Sequence, residues 1–211
     1  MPSRASASAV RHLKRVDPKL AAVIERVGPY RLEPRTDGTH FDALLRSIVF
    51  QQLSGKAAGT ILRRVCDVYG GAGPSPEQLL ATSDETLRAA GLSRQKLSYV
   101  RSLAEHVRDG RLPEQGIETL DDQAVIEALI GVKGIGRWTA QMFLMFRLGR
   151  PDVLPELDLG VQKAMQRAYR MRALPTPKRV LEVGAKWAPY RSFASWYLWR
   201  SLDNGDGQAA V

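Results

Sequence analysis

The chain has 211 residues, 44% hydrophobic and 25% charged, enough to bury the core of one domain or of two small lobes. Its 31 lysines and arginines against 22 acids leave a net charge of +9, a balance that favours a polyanionic partner such as nucleic acid without establishing one. The single cysteine, Cys66, excludes an intrachain disulfide framework and a four-cysteine iron–sulfur cluster, and no segment has the apolar length of a membrane helix.

The pattern is helical almost throughout. Residues 1–16 lack acids and carry Arg4, Arg11, Lys14 and Arg15, and they read as a flexible basic arm, with a transit peptide as the alternative. Asp17-Pro18 predicts a capped helix that Gly28-Pro29 stops, and residues 29–40 show no period. Phe41, Leu44, Leu45, Ile48 and Val49 mark one buried helix face that runs out at Gln51-Gln52. Ser54 caps the next predicted helix, whose face includes Ala57, Ala58, Ile61, Leu62, Val65, Cys66 and Tyr69, with Cys66 read as core.

Gly70-Gly71 ends that helix, and Pro74 and Pro76 predict a loop. Thr82 and Glu85 have capping-box spacing for a short helix to Ala90. Ser93 caps a helix to Gly110, and Asp121 or Asp122 begins another carrying Val125, Ile126, Leu129 and Ile130. An apolar helix follows from Arg137 to about Leu148, then one over Leu159–Arg172 and two more near 178–187 and 191–202. The reading is all-α, about ten short helices, with a frayed tail over 203–211.

Gly131, Gly134 and Gly136 lie between two of these helices in the run Ile130-Gly131-Val132-Lys133-Gly134-Ile135-Gly136. Glycine permits positive φ and close approach of a ligand, and the helix opening after Gly136 offers free N–H groups to an anion. A dinucleotide fingerprint needs a preceding strand, which is absent here, and no Gly-Lys-Ser/Thr follows to make a P-loop. The plainer alternative is that these glycines only end one helix and start the next.

Beyond the apolar helix stands Pro155-Glu156-Leu157-Asp158-Leu159-Gly160. Asp158 is placed to cap the helix beginning at Leu159, and capping is compatible with an electrostatic role. Glu156 is the alternative acid. His12, His40 and His106 have no metal-ligand spacing, although His40 stands just before the Phe41 helix.

Gly131–Ala140, the apolar helix and Leu154–Gly160 together resemble the helix-hairpin-helix DNA glycosylases, in particular the 3-methyladenine DNA glycosylase II subgroup of alkylpurine glycosylases. Three further segments share the resemblance: Ser47–Ala58, Gly91–Lys96 and Trp187–Arg200. The likeness spans roughly residues 10–202. It implies a two-lobed all-α fold with the active site in the cleft between lobes and no N-terminal β domain. One lobe would cover about 41–140, including the hairpin 130–136, and the other the N-terminal helix plus about 150–202, within a helical domain of 17–202.

The resemblance also implies roles. Asp158 would be catalytic. Gln51, Trp138, Met142 and Trp187 would line a base pocket, with Gln52 and Leu53 as a wedge in the gap left by a flipped base. Gly131, Val132, Lys133, Gly134, Ile135, Gly136 and Thr139 would bind DNA phosphate, and the carbonyls of Ile130, Val132 and Ile135 could hold a sodium or potassium ion. No cofactor is otherwise required. Trp138 and Met142 are one turn apart and share a helix face. Some relatives have an aromatic residue in place of Met142, and strand-cutting relatives have a lysine in place of Trp138.

The expected function is therefore monofunctional hydrolysis of alkylated purines, of the 3-methyladenine and 7-methylguanine type, from double-stranded DNA, leaving an abasic site. A non-catalytic helix-hairpin-helix DNA-binding protein and a glycosylase-lyase for oxidised bases are the alternatives. A monomer with no membrane association, cytoplasmic and associated with the nucleoid, is expected, with organellar or nuclear targeting left open. Arg191 and Arg200 are either ion-pair partners or DNA contacts, and the segment does not choose.

Overall fold

The computed structural model describes residues 4–203. In chain order the helices are α1 (Arg4–Val16), α2 (Pro18–Val27), α3 (His40–Phe50), α4 (Gly55–Asp67), α5 (Pro76–Ala81), α6 (Asp84–Ala89) and α7 (Arg94–Arg108). They continue as α8 (Asp122–Ile130), α9 (Arg137–Phe146), α10 (Leu159–Tyr169), α11 (Pro177–Gly184) and α12 (Arg191–Arg200), with short 3-10 turns at Ile117–Thr119 and Ala185–Trp187. The described residues contain no strand, so the all-α expectation holds.

The chain divides into two compact units: the described parts of Met1–Pro34 and Leu148–Val211, and Arg35–Arg147. The first holds α1, α2 and α10 to α12 around Leu13, Leu20, Ile24, Val161, Met165, Trp187 and Tyr197. Asp17 makes the α1–α2 corner. Its carboxylate, 1% exposed, caps α2 by accepting from the N–H groups of Lys19 (3.1 Å) and Leu20 (3.2 Å). It also accepts from Tyr169 Oη and from Trp187 Nε1 (2.9 Å), and pairs with Lys186 Nζ at 3.0 Å. Burial alone would raise the Asp17 pKa, but the donors on Tyr169, Trp187, Lys186 and Leu20 outweigh it and hold the carboxyl below its ordinary value.

The flexible basic arm is corrected over residues 4–16, which form α1, with Ala9 and Leu13 fully buried one turn apart. The small side chains of Ala7 and Ala9 give little hydrophobic signal, yet alanine is the best helix former. Lys14 and Arg15 sit in the last turn, where the helix dipole favours cations. Of the expected tail over 203–211, only Asp203 lies within the described residues.

In the second unit α3 to α9 pack around Phe41, Leu44, Ile48, Val100, Leu103 and Leu144, all buried. The loop predicted at Pro74–Pro76 is corrected to a helix start. Ser75 and Gln78 form a capping box, and Pro76 takes the first helical position of α5. The predicted Thr82 cap moves by one residue: Thr82 ends α5, its hydroxyl donating to Gln78 O (2.8 Å), while Ser83 caps α6. Cys66 is half-buried rather than core, because only Ala58 and Val65 of α4 are fully buried.

Arg147 closes this unit on itself. Its guanidinium donates to the carbonyls of Arg35 (2.9 Å), Asp37 (2.7 Å) and Gly38 (2.5 Å) and to His40 Nδ1 (3.1 Å). One arginine thus satisfies three backbone carbonyls of the irregular stretch before α3, where no regular structure does so.

Candidate active site

Asp158 stands at the N-cap of α10, on a turn closed by its own N–H bond to Pro155 O (3.0 Å). Its Oδ1 accepts from Val161 N–H (2.7 Å) and from the indole N–H of Trp199 (2.8 Å). The capping reading of the sequence is thereby realised, and it leaves a half-buried carboxylate with a fixed direction. Its neighbours Leu157 and Leu159 are 53% and 52% exposed, so the acid is flanked by apolar surface. Gln162 Nε2 donates to Glu156 O (2.9 Å), tying the turn to α10.

Trp199 and Gly160 were not found by sequence reasoning. A Cβ at Gly160 would stand 2.9 Å from Trp199 Cδ1 and 3.0 Å from Asp158 Oδ1. Glycine at this point of α10 therefore lets the indole reach the carboxylate. The faint signal was a glycine two residues after a helix-capping aspartate, where helix propensity favours almost any other residue.

The hairpin lies in the other unit. Val132 and Ile135 turn inward and are buried, while Gly131, Lys133, Gly134 and Gly136 are exposed. Val132 N–H bonds Leu129 O (3.0 Å) and Ile135 N–H bonds Val132 O (3.0 Å). Gly134 has φ +85°, and a Cβ there would fall 2.2 Å from the Tyr99 ring, so both conformation and space demand glycine. Lys133 N–H is held by Ser102 Oγ (3.1 Å). Gly136 is the N-cap of α9 and supplies no side-chain cap, and a helix N-terminus is the end whose dipole favours an anion. Thr139, the third residue of α9, is buried.

Gln51, Gln52 and Leu53 form a turn after α3. Gln51 spends its side-chain N–H on Gly134 O (3.0 Å), which joins this turn to the hairpin. Gln52 has φ +59°, a left-handed conformation rare outside glycine, and both Gln52 and Leu53 are exposed. Trp138, at the second position of α9, is 44% exposed, and Met142 one turn on is half-buried.

Trp187 does not join them. It is fully buried in the core of its own unit with its N–H on Asp17, so its expected place in a base pocket is corrected to a structural one. Arg191 is an ion-pair partner, bound to Asp152 through Nε (2.8 Å) and Nη2 (2.9 Å), and Arg200 lies 2.8 Å from Asp203. His40 faces Arg147, Glu118 and the edge of Phe143. Burial, then the Arg147 charge, pushes its pKa down despite Glu118. Among the described residues no cluster of His, Cys, Asp and Glu could hold a metal ion.

Comparison with known proteins extends these observations. Residues 45–189 match the family described as HhH-GPD superfamily base excision DNA repair protein. DNA-3-methyladenine glycosylase 1 of Schizosaccharomyces pombe is 35% identical over 198 residues, covering 92% of this chain and 87% of that protein. The solved structure of the 3-methyladenine DNA glycosylase of S. pombe in complex with abasic DNA superposes with a TM-score of 0.81 at 35% identity, over 92% of this chain and 95% of that one. A DNA-3-methyladenine glycosidase from Bacillus halodurans superposes with a TM-score of 0.83 at 43% identity, over 92% and 88%.

Proposed function

The chain belongs to the HhH-GPD superfamily of base excision DNA repair proteins, and from that premise we propose that it hydrolyses the N-glycosidic bond of alkylated purines in double-stranded DNA. Its substrates are of the 3-methyladenine and 7-methylguanine type, and its product is an abasic site in an uncut strand. The observation that carries this reading is the aim of Asp158, fixed by Val161 N–H and Trp199 N–H at the head of α10.

A base inside a duplex is out of reach, so the lesion is flipped out first. Gln52 and Leu53 fill the gap it leaves. The exposed hairpin residues Gly134 and Gly136, at the N-terminal end of α9, hold backbone phosphate, with Lys133 adding charge. Trp138 offers a π-face to a purine ring made cationic by alkylation, an interaction worth about 0.5–2 kcal/mol, with Met142 beside it and Gln51 at the turn. Cleavage of the C1′–N bond returns the bonding electrons to that ring and neutralises it. The sugar left behind is oxocarbenium-like. Asp158 stabilises its positive charge and orients the water that attacks C1′ and loses a proton.

Trp138 occupies the place where the resemblance puts the lysine of strand-cutting relatives, so no Schiff base forms and the enzyme is monofunctional. The carbonyls of Ile130, Val132 and Ile135 are hard oxygen donors suited to sodium or potassium, and Val132 O retains one lone pair beyond its bond to Ile135 N–H. Such an ion would add positive charge beside a phosphate. No described helix is long and apolar enough to cross a membrane. The protein works as a monomer in a DNA-containing compartment, the nucleoid in a bacterial-type cell.

Incubation with methylated duplex DNA tests the function. Free alkylpurine with strand breaks that appear only after alkali supports it. Breaks without alkali would point to a lyase, and DNA binding without base release to a non-catalytic module.

A further inference from the structure

We propose that Lys96 is the positioning residue for base extrusion: its ammonium group locks the Gln51–Gln52–Leu53 turn in the shape that enters the duplex. The inference rests on the wedge role proposed above for Gln52 and Leu53. An α-helix leaves its last carbonyls unsatisfied, and glycine commonly turns the chain there. The end of α3 has no glycine. Instead Gln52 takes φ +59°, a conformation that costs a non-glycine residue about 1 kcal/mol or more.

Lys96, 45 residues beyond Gln51, reaches back from the first turn of α7. Its Nζ donates to Ile48 O (3.1 Å), Val49 O and Gln51 O (2.7 Å). A compact cation with three donors suits a cluster of three carbonyls at the negative end of a helix dipole. The group is half-buried, and burial pushes its pKa down, so the contact is a built one rather than a surface accident.

The same helix carries Tyr99 against Gly134 and Ser102 against Lys133 N–H. Lys96, Tyr99 and Ser102 follow at intervals of three, on one side of α7. One helix thus fixes both the wedge turn and the hairpin, which Gln51 already joins through Gly134 O. A turn that must push between stacked bases needs such support. Without Nζ, Gln52 can relax and the wedge softens, while the chemistry at C1′ is untouched.

Single-turnover base release by Lys96→Met tests this on two duplexes, one with the alkylated purine opposite its normal partner and one with it opposite an abasic site. Loss of charge-assisted hydrogen bonds predicts a fall of about tenfold or more on the paired duplex and less than about threefold on the unpaired one. Equal falls on both, or no fall on the paired duplex, would overturn the proposal. Lys96→Gln takes its place if the methionine variant does not fold, and the same split decides. In an Asp158→Asn background, a 2-aminopurine beside the lesion should brighten less on saturation when Lys96 is replaced; unchanged brightening would also overturn it. That binding assay judges Lys96 even if the unsubstituted chain releases no base, an outcome that would instead defeat the functional reading.

Discussion

The indole N–H of Trp199 lies 2.8 Å from Oδ1 of Asp158, so a residue from the last helix aims the carboxylate at the head of α10. Trp199→Phe keeps most of the ring volume and removes that donor. One hydrogen bond to a charged group is worth about 1.5–3 kcal/mol, so single-turnover base release should fall about tenfold or more. Affinity for an uncleaved lesion duplex should change little. A parallel fall in affinity would show that Trp199 supports the fold rather than the acid.

Gly160 allows that contact. Gly160→Ala ought to favour the helix by propensity, by up to about 1 kcal/mol. Its Cβ would press on Trp199 Cδ1 and Asp158 Oδ1, at 2.9 and 3.0 Å. The expected outcome is a thermal midpoint near that of the parent with reduced base release. Full activity would mean that the Trp199–Asp158 distance does not matter.

Asp17 anchors the unit that carries Asp158. Asp17→Asn removes the charge paired with Lys186 and weakens the acceptor for Tyr169 and Trp187, and should cost about 2–4 kcal/mol in denaturant unfolding. The pKa of Asp17 is lower folded than unfolded. Its stabilisation is therefore complete above the unfolded value of about 3.9 and is lost as pH falls through the folded value. Between pH 5 and lower values, approximately that acid range, the Asn variant should lose stability less steeply than the parent. Identical acid profiles would remove Asp17 from this account.

Trp138 separates hydrolase from lyase. Borohydride added during turnover should trap no covalent protein–DNA adduct, because no amine takes the nucleophile's place. Trp138→Ala should weaken release of cationic 7-methylguanine, by about 0.5–2 kcal/mol of lost cation–π contact beyond the loss of area. A trapped adduct would contradict the monofunctional mechanism.

Local signals made most of the fold legible. Asp17, Ser54, Ser93 and Asp121 each accept from a first-turn N–H at the predicted helix start. The exceptions are α1, written largely in small residues that give little hydrophobic signal, and α5, whose opening Pro76 reads as a loop residue but takes the first helical position. The geometry of the candidate site was legible where it is local, at the Gly134 turn and at the Asp158 cap. It was illegible where it depends on distant pairs. Lys96 meets Gln51 across 45 residues and Trp199 meets Asp158 across 41. Sequence spacing could not tell which tryptophan of the final segment faces inward: Trp187 lies in a 3-10 turn and buries completely, while Trp199 donates to Asp158.

The central claim is that Asp158 carries the chemistry, and Asp158→Asn tests it most directly. The amide oxygen can still accept from Val161 and Trp199, so the cap and the fold should persist. Single-turnover release of 3-methyladenine from methylated duplex should fall by about 10²-fold or more, with lesion binding retained. Release at close to the parental rate would contradict the account.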